Sequence, residues 1–367
     1  MKVIIVGGGI GGLAAAAAFH QRGMQVEVLE RAAAFTEVGA GLTVQPNGLR
    51  ALDVLGLGDP LRAHGLADPL VGVRNSRGGW LIRNDVATLR RTFGASVLIP
   101  RTTLIDLLKA AVPAESLRPA TEVHSVRPDG TVHHSGGVSE ADLVVGADGV
   151  NSVTRRSLWP HLPGPSYVGY TTWRFMAPPH PVEGSVETWG SGERFGQVPM
   201  ADGRVYCYVI ANAPAGTHIG LDELRRRFTG WHRPIPALLE SVSGQAALQH
   251  DTYELPALPT YVSDNAAVLG DAAHAMTPNL GQGACQALED AVTLAHTVNR
   301  LGLRAGLQEY DRLRRPRTQQ IVRLSRQVGA PGHWTSAPLV ALRNTVFPRL
   351  PKSLLTRSLG PTLTWTI

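Results

Sequence analysis

Residues 2–30 read KVIIVGGGIGGLAAAAAFHQRGMQVEVLE, and this stretch decides the fold. The β-branched run Lys2–Val6 is typical of a buried parallel strand. Gly7–Gly12 predicts a turn, and the alanine-rich Leu13–Gln21 predicts a helix that ends near Gly23. The change from a strand pattern to a helix pattern across a glycine turn indicates the start of a βαβ unit.

The glycine spacing predicts a nucleotide site. In Gly7-x-Gly9-x-x-Gly12 the first glycine allows a tight turn, the second lets the backbone approach a pyrophosphate, and the third lets helix and strand pack closely. Gln25–Glu30 alternates as a second strand and ends on an acid suited to a ribose hydroxyl. The sequence therefore predicts dinucleotide binding; the alternative is a glycine-rich turn beside a surface glutamate.

Composition limits the protein class. The 367 residues are 43% hydrophobic and 17% charged, which excludes a wholly disordered chain, a collagen and a disulfide-stapled mini-protein. The cysteines, Cys207 and Cys285, form no CxxC motif, which excludes a cysteine zinc site and a vicinal redox disulfide. We therefore predict no metal.

Charge is uneven along the chain. The net charge is +6, and residues 300–357 carry 12 basic and 2 acidic residues. A solvated, arginine-rich helical tail is one interpretation, and attraction of phosphates, nucleic acid or anionic lipid is the other. No nucleic-acid module is evident, so we predict no nucleic-acid partner. The uncharged residues 3–21 mimic a signal peptide or membrane span, but glycines interrupt them, so we predict a cytoplasmic protein without a transmembrane segment.

Two more strands extend the nucleotide domain. Leu143–Ala147 and Ala266–Gly270 are buried-strand runs followed by an Asp or Gly-Asp turn. Between them, residues 165–262 hold Tyr-, Trp- and Val-bearing runs separated by Pro and Gly, which predicts antiparallel strands. Residues 282–330 return to helical spacing. The expected fold is α/β: a discontinuous Rossmann-like domain with a parallel sheet, an inserted antiparallel-sheet domain and C-terminal helices.

Two longer motifs carry a family resemblance. Asp142–Arg156 reads DLVVGADGVNSVTRR, and Leu269–Asp290 reads LGDAAHAMTPNLGQGACQALED. With the glycine motif, they resemble the class A flavoprotein monooxygenases of the para-hydroxybenzoate hydroxylase type, in order from residue 1 to about 330. The bacterial FAD-dependent urate hydroxylases and salicylate-hydroxylase-like enzymes look nearest.

The resemblance implies noncovalent FAD, NAD(P)H as co-substrate and O2. It implies that a flavin C4a-hydroperoxide transfers a hydroxyl group to an aromatic or heteroaromatic small molecule in a monomer or homodimer. It also implies a division of the chain into an FAD domain, a substrate domain and a basic helical tail. The FAD domain comprises residues 1–70, 96–160 and 262–330. The substrate domain comprises residues 71–95 and 161–261, and the tail comprises residues 331–367.

The resemblance also assigns cofactor residues. Asp271 hydrogen-bonds the ribityl chain, Pro278 lies beside the isoalloxazine, and Arg101 contacts phosphate or ribityl oxygens. The cofactor-binding set is Gly7, Gly9, Gly11, Gly12, Glu30, Arg31, Thr43, Arg101, Val123, Asp148, Asp271, Pro278, Gly281, Gln282, Gly283, Ala284 and Cys285. In the alternative interpretation, Asp148 and Asp271 cap helices, Arg101 is a surface cation, and Cys285 is a small packed residue without a chemical role.

The inserted segment holds the candidate catalytic residues. A loop at residues 201–203 places Arg194 and Tyr206 on one face of a hairpin. ERFGQVPMADGRVYCYV resembles the urate hydroxylases, which implies that Arg194 orients or helps deprotonate the substrate and Tyr206 binds it. The family's urate pocket has Asn before a Trp, where this chain has Thr172. Alternatively, Arg194 faces solvent and the tyrosines pack in the core.

Three aromatic side chains, Trp173, Phe175 and Trp189, are candidate pocket walls or core residues. Two other flavoenzyme activities lack their motifs in this sequence. This sequence has neither the WxWxIP segment nor the lysine that flavin halogenases carry. It also lacks the second glycine motif of the Baeyer–Villiger enzymes that have two Rossmann domains. Epoxidation or oxidation of a polyketide, quinolone or other natural-product intermediate, and flavin binding without turnover, stay open.

Overall fold

A computed structural model describes residues 1–35, 41–243, 247–351 and 359–367. Its strands are β1 (Lys2–Val6), β2 (Gln25–Leu29), β3 (Gly41–Val44), β4 (Leu66–Ala67), β5 (Val71–Asn75), β6 (Trp80–Arg83), β7 (Val97–Pro100), β8 (Leu117–Arg118), β9 (Val123–Val126), β10 (Thr131–His134), β11 (Gly137–Glu140), β12 (Leu143–Gly146), β13 (Ser166–Ala177), β14 (Ser185–Trp189), β15 (Glu193–Pro199), β16 (Val205–Asn212), β17 (Leu248–Glu254), β18 (Val262–Ser263) and β19 (Ala266–Val268).

The α-helices alternate with these strands and then close the chain. They are α1 (Ile10–His20), α2 (Pro46–Val54), α3 (Gly58–His64), α4 (Val86–Phe93), α5 (Arg101–Ala110), α6 (Val153–Leu158), α7 (Leu221–Phe228), α8 (Ile235–Glu240), α9 (Asp271–His274), α10 (Gly283–Leu301), α11 (Leu303–Gly329) and α12 (Ala337–Val346). Within the described ranges, no helix combines the length and apolar character needed to cross a bilayer.

A parallel sheet joins the segments that the sequence predicts to form the nucleotide domain. Its order is β18-β19-β12-β1-β2-β8, and only β18 runs antiparallel to its neighbour. Val3 of β1 pairs with Leu143 on one side and with Val26 on the other. The predicted fold class is thereby confirmed. Strand β12 ends one residue earlier than predicted, at Gly146, and β19 ends two residues earlier, at Val268.

Close backbone approach explains the glycine turn. Gly7 has φ +104°, and a Cβ at Gly12 would lie 1.9 Å from the Gly7 carbonyl oxygen. Helix α1 therefore packs directly against the turn. It begins at Ile10, three residues before the predicted Leu13, because Gly11 and Gly12 lie in its first turn.

A larger, mostly antiparallel sheet forms the inserted segment, in the order β17-β13-β16-β15-β14-β5-β6. The predicted hairpin register is present: Gly196 pairs with Tyr208, and Val198 with Tyr206. One face of this sheet packs on α7 and α8 through an aromatic cluster that includes Phe195 and Phe228. The opposite face is therefore left to line a cavity. Two small sheets, β11-β10-β9 and β3-β7-β4, complete the sheet structure of the described residues.

The predicted helical region 282–330 is two helices. The chain breaks at Gly302, which has φ +79° between α10 and α11. Arg314 of α11 is only 1% exposed and its Nε donates to Asp290 Oδ1 at 2.6 Å. Its Nη1 donates to Glu289 Oε2, so two buried carboxylates of α10 share one guanidinium. In the predicted tail, 331–367, α12 is helical and residues 352–358 lie outside the described residues.

Replacing Arg314 by Met should lower the free energy of unfolding by about 3–5 kcal/mol, because the buried Asp290 loses its arginine and the buried Glu289 keeps only Arg317. Arg312→Met is the matched control: Arg312 is 68% exposed and pairs with Glu309 at the surface, so its loss should change stability by about 0.5 kcal/mol or less. Urea unfolding followed by circular dichroism measures both. Equal stability of the two variants would contradict the role given to Arg314.

Candidate active site

One cavity of about 790 Å³ connects the two sheets. Its lining combines the turn after β1, the turn after β19, the start of α10 and the free face of the seven-stranded sheet. The volume lies within the range of about 300–1,000 Å³ typical of small-molecule sites. The cavity divides into a nucleotide half and a sheet half.

The nucleotide half is built from helix starts. Gly9 precedes α1 without any side-chain cap, so the first backbone N–H groups of α1 are open to a ligand. A Cβ added at Gly9 would meet no atom within 4 Å, whereas one at Gly11 would meet Leu269 at 2.7 Å. Both glycines line the cavity. Uncapped N–H groups and the helix dipole make this a favourable place for a phosphate.

The start of α10 forms a second such surface. Gly281 adopts φ +62°, and α10 begins at Gly283 without a side-chain cap. The Gln282 side chain is fixed by Gln45, to which it donates at 2.7 Å, and by Asn47, from which it accepts at 2.8 Å. The partial positive charge at this helix start therefore faces the cavity in a rigid position.

Two charged groups, Arg101 at the start of α5 and Asp271 at the start of α9, line the same half. Burial lowers the pKa of Arg101, the Asp271 carboxylate opposes that effect, and Arg174 adds to it. Arg101 and Arg174 therefore concentrate positive charge next to Asp271 at this end of the cavity.

The sheet half contains a buried ion pair. Arg194 is 1% exposed, and its Nε donates to Glu187 Oε1. Its Nη1 donates to Asn279 Oδ1 at 2.6 Å and to His333 Nε2 at 3.1 Å. Arg194 therefore lies neither at a solvent-exposed edge nor free of a counterion.

Glu187 accepts two further hydrogen bonds, from Trp189 Nε1 at 2.6 Å and from the Tyr208 hydroxyl at 2.9 Å. Burial alone would raise the pKa of Glu187, but the Arg194 charge and these hydrogen bonds hold that pKa below its usual value. Glu187 is therefore a carboxylate in the folded protein.

Gly196 explains how Tyr208 reaches Glu187. The three residues lie side by side on β16, β15 and β14, with Gly196 in the middle. A Cβ at Gly196 would lie 1.9 Å from the Tyr208 ring. Only a glycine lets the ring lie across β15, and this is what brings its hydroxyl to the carboxylate.

His333 covers the ion pair from the short helical turn Ala330–His333. Burial and the Arg194 charge lower the pKa of His333 to about 3, so its ring is neutral. With Nε2 accepting from Arg194, Nδ1 donates to Asn212 Oδ1 at 2.8 Å. The ring also stacks on Tyr170, with centroids 4.1 Å apart. A fixed, neutral imidazole therefore holds one side of Arg194.

A family model described as an FAD binding domain matches residues 1–325. The chain belongs to this FAD-binding family. Its relatives include the aurachin C monooxygenase/isomerase of Stigmatella aurantiaca, 37% identical over 92% of this chain and 91% of the relative. The 3-amino-4-hydroxybenzoate 2-monooxygenase of Streptomyces cremeus is 33% identical over 92% of this chain and 89% of the relative.

A solved structure gives the same result. The chain superposes on Klebsiella pneumoniae HpxO, crystallised with FAD and uric acid, with a TM-score of 0.90 and 28% identity over 99% of this chain and 96% of that one. The resemblance to the class A flavoprotein monooxygenases is thereby confirmed. The protein is an FAD-dependent monooxygenase of the aromatic-hydroxylase type.

The nucleotide half fits FAD. The open space at Gly9 and the uncapped start of α1 suit a pyrophosphate. The uncapped start of α10 suits a flavin ring edge, and the Arg101–Asp271 charges suit a hydroxylated chain. Most of the residues predicted to bind cofactor or substrate line the cavity: Gly9, Gly11, Thr43, Arg101, Arg194, Tyr206, Asp271, Pro278, Gly281, Gln282, Gly283 and Ala284. Their individual roles stay predictions.

The other predicted residues are not part of this lining: Gly7, Gly12, Glu30, Arg31, Val123, Asp148 and Cys285. Arg31 is exposed, and Val123 lies on β9 of a separate small sheet. The Glu30 carboxylate accepts from Gly8 N at 2.6 Å and stiffens the glycine turn. Asp148 accepts from Ser152 Oγ at 2.5 Å and from Thr154 N at 2.9 Å, at the start of α6. Cys285 is buried, and burial raises its pKa to about 12, as expected of a packing residue.

The three aromatic side chains divide between the two alternatives, pocket wall and core. Trp189 lines the cavity, but Trp173 and Phe175 belong to the core cluster on the opposite face. Side chains alternate along a strand, so Thr172 and Arg174, not Trp173 and Phe175, face the cavity from β13. The sequence predicts strand β13 but does not indicate which of its side chains face the cavity.

The polar residues on or beside the cavity that sequence reasoning missed include Asp68, Glu187, Asn279 and His333. Glu187 had a usable signal, since an acid two residues before Trp189 in an alternating strand shares its face. Asn279 lies inside a motif that was already singled out. His333 gave no signal, because it is 139 residues from Arg194.

Gly9→Val should leave the protein folded but unable to retain FAD. A side chain at Gly9 meets no protein atom within 4 Å but enters the space where a pyrophosphate would approach the backbone. The control is Gly164→Val, where a Cβ also meets nothing within 4 Å and the residue lies away from the cavity. Flavin absorbance per chain and the melting temperature without FAD distinguish the two. A Gly9→Val protein with full flavin content would refute this assignment.

Proposed function

We propose that this enzyme uses NAD(P)H and O2 to hydroxylate an aromatic or heteroaromatic small molecule bound against the seven-stranded sheet. The observation that carries the proposal is the continuous cavity, which joins the glycine-lined nucleotide half to the wall formed by Glu187, Trp189 and Arg194. When bound, FAD supplies electron transfer from the nicotinamide and activation of O2. The protein residues bind and orient the ring and keep water out.

Arg194 is the proposed orienting group. Glu187, Asn279 and His333 fix its Nε and Nη1, and within the described residues Nη2 has no hydrogen-bond partner. Since Arg194 lines the cavity, Nη2 is the donor available to a carbonyl or ring nitrogen of the substrate. Three fixed contacts mean that little rotamer freedom remains to be lost when the ring binds.

Tyr206 is the proposed second contact. It lines the cavity near Arg101 and Arg174, and burial raises its pKa despite these two positive charges. A phenol with a raised pKa stays protonated at neutral pH, so it can donate a hydrogen bond but has no phenolate with which to act as a general base. Tyr206 therefore binds the substrate in this proposal, and deprotonation of the ring is not assigned to it.

The relatives' names support ring hydroxylation and do not favour epoxidation, oxidation without hydroxylation or flavin binding without turnover. Uric acid is bound in the HpxO crystal structure, and 3-amino-4-hydroxybenzoate names the substrate of another relative. With one glycine fingerprint in the sequence, NAD(P)H is proposed to bind transiently, without a domain of its own. A cytoplasmic location and a monomeric or dimeric state stay predictions from the sequence.

The purified enzyme should be yellow, with one noncovalent FAD per chain, and should oxidise NADH or NADPH faster when an accepted ring is added. A panel of phenols, purines, pyridines and quinolones, followed by mass spectrometry for a product with one added oxygen atom, tests this. A protein that takes up no FAD, or a rate that no member of the panel changes, would count against the proposal.

Arg194→Met should reduce turnover while FAD content is kept. Losing a charge-assisted hydrogen bond to the substrate costs about 1.5–3 kcal/mol, which is roughly 10- to 150-fold in kcat/KM. Arg204→Met is the control, because Arg204 lies on the same hairpin and pairs with Asp202 at the surface. Both are assayed well below their melting temperatures, since Arg194→Met also leaves Glu187 unpaired. Unchanged product yield in Arg194→Met would move the substrate away from this wall.

A further inference from the structure

Carboxylates offset the positive charge in the sheet half of the cavity. Arg194 is paired with Glu187, and a second acidic residue, Asp68, lines the same half. Asp68 is 9% exposed, and its carboxyl accepts from the backbone N–H groups of Leu70 and Ser185, both at 3.3 Å. An arginine that already has its counterion, with another carboxyl nearby, is a poor receptor for an anion.

The counterion is held in place, so a substrate cannot easily displace it. Trp189 and Tyr208 donate to the two oxygens of Glu187 while Arg194 donates to one of them. An anionic substrate would have to compete with a carboxylate that three donors fix inside the protein. It would also lie close to that carboxylate in a partly desolvated pocket, where like charges repel strongly.

The remaining arginines of the cavity do not provide an anion site beside Glu187. Arg101 interacts with Asp271 and with Arg174. Arg174 lies on β13, three strands away from Glu187 on β14, and interacts with Arg101 and Tyr206. The other surfaces around the ion pair are apolar and come from Val71, Val73, Ile82, Val198 and Ile210. An uncharged ring can bury its faces against these side chains without giving up the hydration of a charge.

From this arrangement we propose that Glu187 is a specificity-determining residue that neutralises Arg194 and restricts the enzyme to uncharged aromatic or heteroaromatic rings. Arg194, whose charge is balanced by Glu187, then donates a hydrogen bond to the ring through Nη2 and does not bind a substrate carboxylate. The inference rests on the proposed function, because it assumes that the ring binds against this wall.

The test compares a carboxylate with its isosteric amide. Dissociation constants of 4-hydroxyquinoline-2-carboxylate and 4-hydroxyquinoline-2-carboxamide, and of benzoate and benzamide, are measured on the FAD-loaded enzyme from changes in flavin absorbance. The wild-type enzyme should bind each amide at least about tenfold more tightly than its carboxylate, since the charge must enter a site that already holds a counterion.

Glu187→Gln should reverse this preference. The amide oxygen of glutamine can still accept from Trp189 and Arg194, and its NH2 group can donate to the Tyr208 hydroxyl. Arg194 is nevertheless left as an unpaired buried cation, so the ligand carboxylate becomes the counterion. The carboxylate-to-amide affinity ratio should rise by about two orders of magnitude or more, the scale set by a desolvated charge pair. In Glu187→Gln/Arg194→Gln, where both charges are absent, the preference for the amide should return.

Glu193→Gln is the matched control. Glu193 precedes Arg194 on β15 but pairs with Arg227, 3.5 Å away, and does not line the cavity. Its replacement should leave the affinity ratio unchanged.

Two results would overturn the inference while the proposed function stands: a wild-type enzyme that binds the carboxylates as tightly as the amides, or a Glu187→Gln ratio equal to that of Glu193→Gln. If Glu187→Gln does not fold, the inference is tested by the carboxylate-to-amide affinity ratios of the wild-type enzyme and of the double variant, both of which should favour the amide. If no ring binds to any of these proteins, the proposed function fails, and the inference fails with it.

Discussion

The buried guanidinium of Arg314 ties together the parts of the chain that form the nucleotide half of the cavity. From α11 it binds Glu289 and Asp290 of α10. Asp290 in turn accepts from Gly270 N at 3.0 Å and from His274 Nε2 at 2.5 Å, which fixes the turn that carries Asp271. On the other side, Glu289 accepts from Asn47 of α2 at 2.7 Å. Arg314, assisted at Glu289 by Arg317, therefore links elements that are more than 200 residues apart in sequence.

The parts of the fold that depend on local sequence could be predicted. The glycine turn, the strand Lys2–Val6 and the register of Gly196 with Tyr208 follow from glycine spacing, a buried-strand run and a three-residue loop. The predicted start of α1 was less accurate, because glycine has a low helix propensity. Only the packing of Gly12 against Gly7 shows that Gly12 lies inside the helix.

The site divides in the same way. Motif residues such as Gly9 and Asp271 were recognised because short stretches of chain determine their positions. Glu187 and His333 were missed because their importance comes from contacts with Arg194, one on a neighbouring strand and one far along the chain. Trp173 stayed open between pocket wall and core, because nothing in its own strand indicates which face meets the cavity; its place in the core cluster shows which face it occupies.

The two faces of the seven-stranded sheet have separate tasks, and this has an evolutionary consequence. Odd-numbered residues of β13 such as Trp173 and Phe175 support the fold against α7 and α8, while even-numbered neighbours such as Thr172 and Arg174 meet the ligand cavity. A lineage can therefore exchange cavity-facing side chains, one at a time, without disturbing the layer that keeps the sheet folded. Relatives with a shared scaffold and differently named substrates are what such a division of labour allows.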